Sequence, residues 1–197
     1  MENLKELLVE ELKDLYSAEN QIIKALPKII KGAASEELKA AITEHLAVTK
    51  EQVTRLDNIF GQLGEKPKGK HCKGMEGLLE EGAESLQEEE KSPLRDLQLI
   101  GAAQRVEHYE VAAYGTARAI AEKLGLADVV ELLSDTLAEE EEADGKLTEV
   151  AEALYEQVET DDEEESVEEE DEEEAAPAAR RTPAKKATKK QTKNARR

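Results

Sequence analysis

Between residues 8 and 154 apolar side chains return every three or four positions, the period of helices that bury one stripe. Leu8, Leu12, Leu15, Ile22 and Leu26 make a first row, provided Glu19 is counted in it. A second row reads Leu38, Ile42, His45, Thr49, Gln52, Leu56 and Leu63. A third reads Leu97, Ile100, Gln104, Glu107, Val111 and Tyr114. The fourth runs Val130, Leu133, Leu137, Glu140, Asp144, Leu147, Ala151 and Leu154. Four long helices follow from these rows.

The punctuation between rows sets the connections. Gly32 reads as a stop for the first helix, which Pro27 should kink or loosen in its last turn. Ser35, followed by Glu36 and Glu37, starts the second helix with acids at the positive end of its dipole. The two helices are then so close in sequence that they should form an antiparallel hairpin. Gly61 and Gly64 close the second helix. Residues 64–92 begin as a Lys/Gly loop and continue as a short, weakly amphipathic helix in MEGLLEEGAESLQEEE. Ser92 and Pro93 open the third long helix, and Gly125 separates it from the fourth. Two tight hairpins joined by one long crossover is the connectivity of a ferritin-like four-helix bundle, and the fold class expected is all-α.

The polar residues in these rows carry the chemistry. Near its middle, each long helix puts polar groups where core belongs: Glu19; His45 with Thr49 and Gln52; Gln104 and Glu107; Glu140 with Asp144. Glu110, three residues after Glu107, shares its face. A single such Glu ordinarily sits at the edge of a stripe and reaches solvent. Several at matching depth on four helices would be very costly to bury unless cations or protons neutralise them. Carboxylates with one imidazole suit iron or manganese better than the ligand sets of thiolate zinc or all-oxygen calcium sites. Thr49, Gln52 and Gln104 are then candidates for hydrogen bonds that orient the ligands.

Other reactive residues point less clearly. His108 is about 100° around the helix from Glu107 and should face elsewhere. His71 and Cys72 lie in a loop and do not make a metal knuckle. Tyr16, Tyr109 and Tyr114 read first as packing, with a hydrogen bond to a ligand or radical chemistry as the alternative. No P-loop, dinucleotide-binding glycine pattern, nucleophile elbow or HExxH motif is present.

Composition divides the chain. Glu159–Glu174 holds thirteen acidic residues and no basic one, and Arg180–Arg197 holds nine basic residues and no acidic one. Taken from totals of 47 acidic and 27 basic residues, these leave a body of 34 and 18 with a formal charge of −16. Such a body repels nucleic acid and attracts cations, although acidic surfaces commonly serve solubility alone. The domain is expected to span residues 1–158, and 159–197 a disordered tail. Cys72 is the sole cysteine, so no intrachain disulfide forms. The charged N-terminus lacks a signal-peptide core, and no apolar run approaches the roughly 18 residues of a membrane helix. A soluble, cytoplasmic protein with no membrane contact is expected.

The strings DLYSAENQIIKALPKI, EHLAVTKEQVTRLDNIF, AAQRVEHYEVAAYGTAR and TLAEEEEADGKLTEVAE resemble the YciE/YciF family of ferritin-like stress-response proteins, in order and over about residues 3–156. The resemblance implies a homodimeric bundle with an internal di-metal centre. Carried over residue by residue, its polar positions are Glu19, His45, Glu107, Glu110, Glu140 and Asp144, with Glu107 and Glu140 central enough to bridge two ions. The wider superfamily places a Glu-x-x-His pair on two helices. Here Ile42 precedes His45 by three and Glu110 follows Glu107 by three, so neither helix keeps it. Ala47 and Val48 stand where family members tend to carry a carboxylate, so the site holds two iron or manganese ions or a single one. The resemblance implies no well-defined activity. The expectation from the ligand set is that bound metal reacts with peroxide or oxygen. The alternatives are a non-catalytic metal-binding or scaffolding dimer, or a DNA-associated accessory protein acting through its basic tail. The basic end resembles the Lys/Ala/Pro tails of histone H1-like proteins. It would bind DNA weakly and without sequence preference, or else fold back on the acidic run.

Overall fold

A computed structural model describes residues 3–68, 70–87 and 90–175, with side chains through 159 except that of residue 87. Among these residues the chain is helix and loop. The helices are α1 (Leu4–Gly32), α2 (Glu36–Leu63), α3 (Lys73–Glu84), α4 (Pro93–Lys123) and α5 (Ala127–Ala175), with a single 3-10 turn at Ser85–Gln87 after α3. None is long and apolar enough to cross a membrane.

The helix starts follow their caps. Asn3, Ser35 and Ser92 each accept a hydrogen bond from the backbone N–H three residues on, at 3.0, 3.1 and 3.2 Å. Pro93 begins α4, where its missing N–H has no helical partner to lose. Cys72 caps α3 in the same way through its thiol, with Met75 N at 3.5 Å, so α3 begins at Lys73, two residues before the sequence pattern places it. Gly64 and Gly125 end α2 and α4 in the left-handed conformation, φ 71° and 69°.

Gly32 works differently from the stop expected of it. It is the last residue of α1, but the chain leaves the helix through Ala33 at φ −57° and ψ 149°, which any residue adopts. Gly32 instead leaves room for Leu86: a Cβ there would fall 2.3 Å from Leu86 Cδ2, and that methyl would have to turn aside. The α1–α2 turn is fastened from α4. Asp96 accepts from Ala34 N and Ser35 N, and Arg95 donates to the Gly32 carbonyl. The helix also continues through Pro27 to Gly32.

The apolar core falls into two halves. One gathers Ile22, Leu26, Leu38, Ile42, Ile100 and Leu147; the other gathers Leu8, Leu12, Leu56, Phe60, Tyr114 and Leu133. α1 passes from the second half to the first, α2 from the first to the second, α4 likewise and α5 back again. Consecutive long helices in each hairpin are therefore antiparallel, and the 64–92 crossover returns the chain along the bundle. Between the halves every long helix contributes a polar residue. Glu19, Gln52, Glu107 and Glu140 are all at most 2 % exposed.

Two rows are rotated from their sequence reading. In α4 the buried line is Leu99, Ala103, Val106, Glu107, Glu110, Tyr114 and Ala117, whereas Leu97, Gln104 and Val111 are only half-buried. In α5 Val129 and Thr136 are buried, and Val130, Leu137 and Asp144 lie at the edge. The acidic run also differs from expectation: α5 carries helix through it to Ala175, in keeping with the strong helix propensity of Glu. One compact unit spans Met1–Asp161. The basic stretch from residue 180 lies outside the described residues.

Candidate metal centre

Four side chains from three helices converge in the polar layer. His45 of α2, Glu107 and Glu110 of α4 and Glu140 of α5 each offer a ligand atom, and these atoms lie within 4.8 Å of one another. All four are buried. His45 Nε2 is 3.4 Å from Glu107 Oε1. Glu19 of α1 adds a fully buried carboxylate close enough for its charge to act on Glu107 and Glu110. One Glu19 oxygen accepts a hydrogen bond from the Tyr114 hydroxyl. Its other oxygen, one of Glu107, one of Glu110, both of Glu140 and His45 Nε2 have no hydrogen-bond partner among the described residues. Buried polar atoms are normally paired, so a concentration of unpaired donor atoms in one layer marks a place shaped for a ligand.

The electrostatics agree. Burial first, and then the neighbouring carboxylates, push Glu19, Glu107 and Glu110 well above the usual carboxylate range. Burial raises Glu140 to about 7, with Glu107 and Gln52 pulling the other way. Burial lowers His45 to about 4, so near neutrality its imidazole is uncharged and carries a free lone pair. Without a cation the layer must hold protons. With one, the carboxylates ionise and the imidazole needs no deprotonation. Oxygen donors with one neutral nitrogen fit a hard or borderline divalent ion such as iron or manganese.

Supporting contacts come from both hairpins. Thr49 is fully buried and donates to the His45 carbonyl at 2.8 Å, one turn along α2. Gln52 donates to Glu139 Oε2 at 3.1 Å. Arg55 grips Glu139 with two nitrogens, each 2.8 Å from a carboxylate oxygen, and also reaches Thr136 Oγ1 at 2.6 Å. Arg55 thereby joins α2 to α5 beside the cluster and holds the Glu139 carboxyl below its ordinary value.

Comparison with known proteins places this arrangement. Residues 3–160 match the family model described as "Domain of unknown function (DUF892)". The chain belongs to that family. Protein YciF of Escherichia coli K12 is 41% identical over 152 residues, 77% of this chain and 92% of YciF. The crystal structure of the E. coli stress protein YciF superposes with TM-score 0.77 at 40% identity, covering 79% of this chain and 99% of that one. YcfI of Rhodopseudomonas palustris, described as a putative structural protein, gives 0.72 at 42% identity over 75% and 94%. Ferritin-like, diiron-carboxylate proteins of Bacillus anthracis Ames give 0.60 at 16% identity over 77% and 99%, a likeness of fold alone. The fold is ferritin-like.

Within this DUF892 chain the candidates from sequence separate. His45, Glu107, Glu110 and Glu140 are brought together, and Glu19 adjoins them. Asp144 lies at the edge of the layer, its side chain 28 % exposed and its Oδ2 3.3 Å from His108 Nε2. His108 faces outward, 72 % exposed. Thr49 and Gln52 are buried beside the cluster, but Gln104 is turned away and donates to Thr148 Oγ1 at 2.9 Å. Ala103 takes the buried place beside it, and so small a residue marks the face of α4 weakly. The apolar rows give no sign of Arg55 and Glu139, whose two-bond grip lies on none of them, nor of the partner of Tyr114. Tyr109 meets two groups that no spacing connects: its hydroxyl is 3.0 Å from Cys72 Sγ and donates to Asp14 Oδ2 at 2.7 Å.

Proposed function

We propose that this protein binds a divalent metal, iron or manganese, in the polar layer and brings it into reaction with peroxide or oxygen during stress. The observation that carries this reading is the buried group of three carboxylates and one neutral imidazole with ligand atoms within 4.8 Å. Glu107, Glu110, Glu140 and His45 would hold the metal, with Glu19 as a further carboxylate for a second ion. Bound metal supplies the electrons for reducing an oxidant. The chain's own residues prepare for that: Tyr114 fixes Glu19, Thr49 bonds to the His45 backbone, and the two apolar halves flank the layer. The name of the YciF relative as a stress protein and the diiron-carboxylate fold neighbours support the reading. A homodimer in the cytoplasm remains part of this proposal.

Metal content per chain, measured on protein purified without chelator, tests it. Near one or two Fe or Mn per chain is expected, falling to a trace in Glu107→Ala with the fold intact. Full occupancy in that variant, or no uptake after anaerobic loading with Fe(II), would sink the assignment.

A second reading has its own support. The missing Glu-x-x-His pairs, and the description of the R. palustris relative as a putative structural protein, favour a metal-stabilised scaffold without turnover. Consumption of several equivalents of peroxide per metal-loaded chain would decide for the reactive centre; none would decide for the scaffold.

A further inference from the structure

Two cavities approach the centre, and they differ in chemistry. The smaller, about 100 Å³, opens between α2 and α5 and is lined by His45, Glu107, Glu139 and Lys146 among others. Apolar and charged side chains share its lining, and its size admits ions, water and molecules of that size. The other, about 340 Å³, lies between α1, α3 and α4 and is also bounded by Glu107. Its walls are mainly apolar, among them Ala25, Ile29, Leu79, Leu86, Ala102 and Val106. An ion or a peroxide has no use for such walls. A cavity of this size and lining is typical of sites for small organic molecules.

The rim gives the head group. Lys24 and Lys28, one turn apart on α1, are exposed at the cavity, and neither is in an ion pair or hydrogen bond among the described residues. Two acids share the rim: Glu76, which pairs with His71 Nε2 at 2.9 Å, and Glu80. The body is strongly acidic overall. Charges beyond about 8 Å are screened at physiological salt, so these four groups set the mouth, and Lys24 and Lys28 are its cations open to an anionic head. The cavity thus runs from exposed ammonium groups along an apolar wall to a buried carboxylate of the candidate metal centre.

We propose that this cavity binds an aliphatic carboxylate of medium chain length, its head on Lys24 and Lys28 and its chain lying toward Glu107. The metal reading matters only for what the inner end of the chain would meet, and the binding is testable without metal. Metal-free full-length protein is titrated with laurate by calorimetry, with octanoate and dodecanol as comparators. Saturable binding of one laurate per chain is expected, with octanoate about tenfold or more weaker because it buries less chain. Ala25→Phe, which fills the cavity, should weaken laurate at least about tenfold. The double variant Lys24→Glu/Lys28→Glu should weaken laurate by a similar factor and leave dodecanol unchanged, and it stays at the surface should Ala25→Phe misfold. Absence of saturable laurate binding overturns the proposal, as does equal loss of laurate and dodecanol in the lysine variant. A change of sedimentation in Ala25→Phe, with no laurate bound by the parent, would give the cavity to a second copy of the chain. Repeating the titration after Mn(II) loading separates the two readings: laurate bound by a protein that takes up no metal upholds this one and removes the other.

Discussion

At the scale of single residues, the protonation of the polar layer sets the behaviour of the metal-free protein. Glu140 sits at about 7 in the folded chain against an ordinary 4.5. A carboxyl raised on folding stabilises the protein fully below its unfolded value, and that stability is lost as pH rises through the folded value. Glu19, Glu107 and Glu110 are raised in the same direction. Metal-free protein should therefore lose stability as pH rises from about 4.5 through about 7, by an amount on the order of a few kcal/mol for the coupled layer as a whole. In a domain of this size that lowers the melting temperature by roughly 5–10 °C. Saturating Mn(II) should remove most of the loss, because the ion replaces the protons. Acidic surface repulsion acts in the same direction, and Glu140→Gln separates the two effects. Thermal melts should show a shallower pH slope in that variant, and an unchanged slope would mean that the surface, not the layer, governs the loss.

At the scale of elements, legibility in the sequence followed chemistry. The four long helices, their order and most of their ends were readable because Ser35, Ser92, Pro93, Gly64 and Gly125 each carry a local cap or stop. Glu19, His45, Glu107 and Glu140 were readable because they stand squarely in rows that are otherwise apolar. The faces of α4 and α5 were harder. α4 buries Ala103, Ala117 and Ala121, small residues that mark a face weakly, so the row was drawn through Leu97 and Gln104 instead. Contacts between elements distant in sequence, such as Arg55 with Glu139, leave no periodic trace at all. The packing of α3 is a case in point. Gly74 lies where a Cβ would come 2.8 Å from Tyr109 Cε2. That ring cannot simply turn away, because its hydroxyl is tied to Asp14 and Cys72. Gly74→Ala should gain about 1 kcal/mol of helix propensity yet lose about 1–3 kcal/mol to overpacking. A net loss in chemical denaturation, with Cys72 becoming more reactive to a thiol reagent, is the expected result. A more stable variant with an unreactive thiol would show that α3 tolerates the shift.

At the scale of the whole molecule, charge is distributed by segment. The body carries −16, residues 159–174 add thirteen acids, and residues 180–197 hold nine cations. The body and acidic run favour cation uptake and oppose binding to nucleic acid. Only the basic end can reverse that, and we propose that it does so locally, holding DNA by its phosphates. Binding of this kind releases counterions, so it falls steeply with salt and ignores sequence. The acidic run would compete as an internal substitute for DNA, which would reduce the number of phosphates neutralised below nine. In a mobility-shift assay at about 50 mM salt, full-length protein should retard duplexes of unrelated sequence alike and release them by about 200 mM. A chain ending at residue 161, the limit of the compact unit, should not retard them at either salt. A third protein, with the acidic run deleted but the basic end kept, separates competition from absence of binding. If it binds while the full chain does not, the basic end is held by the acidic run, and contact with DNA would require something to displace it. If it too fails, the cations serve another purpose and the DNA reading falls.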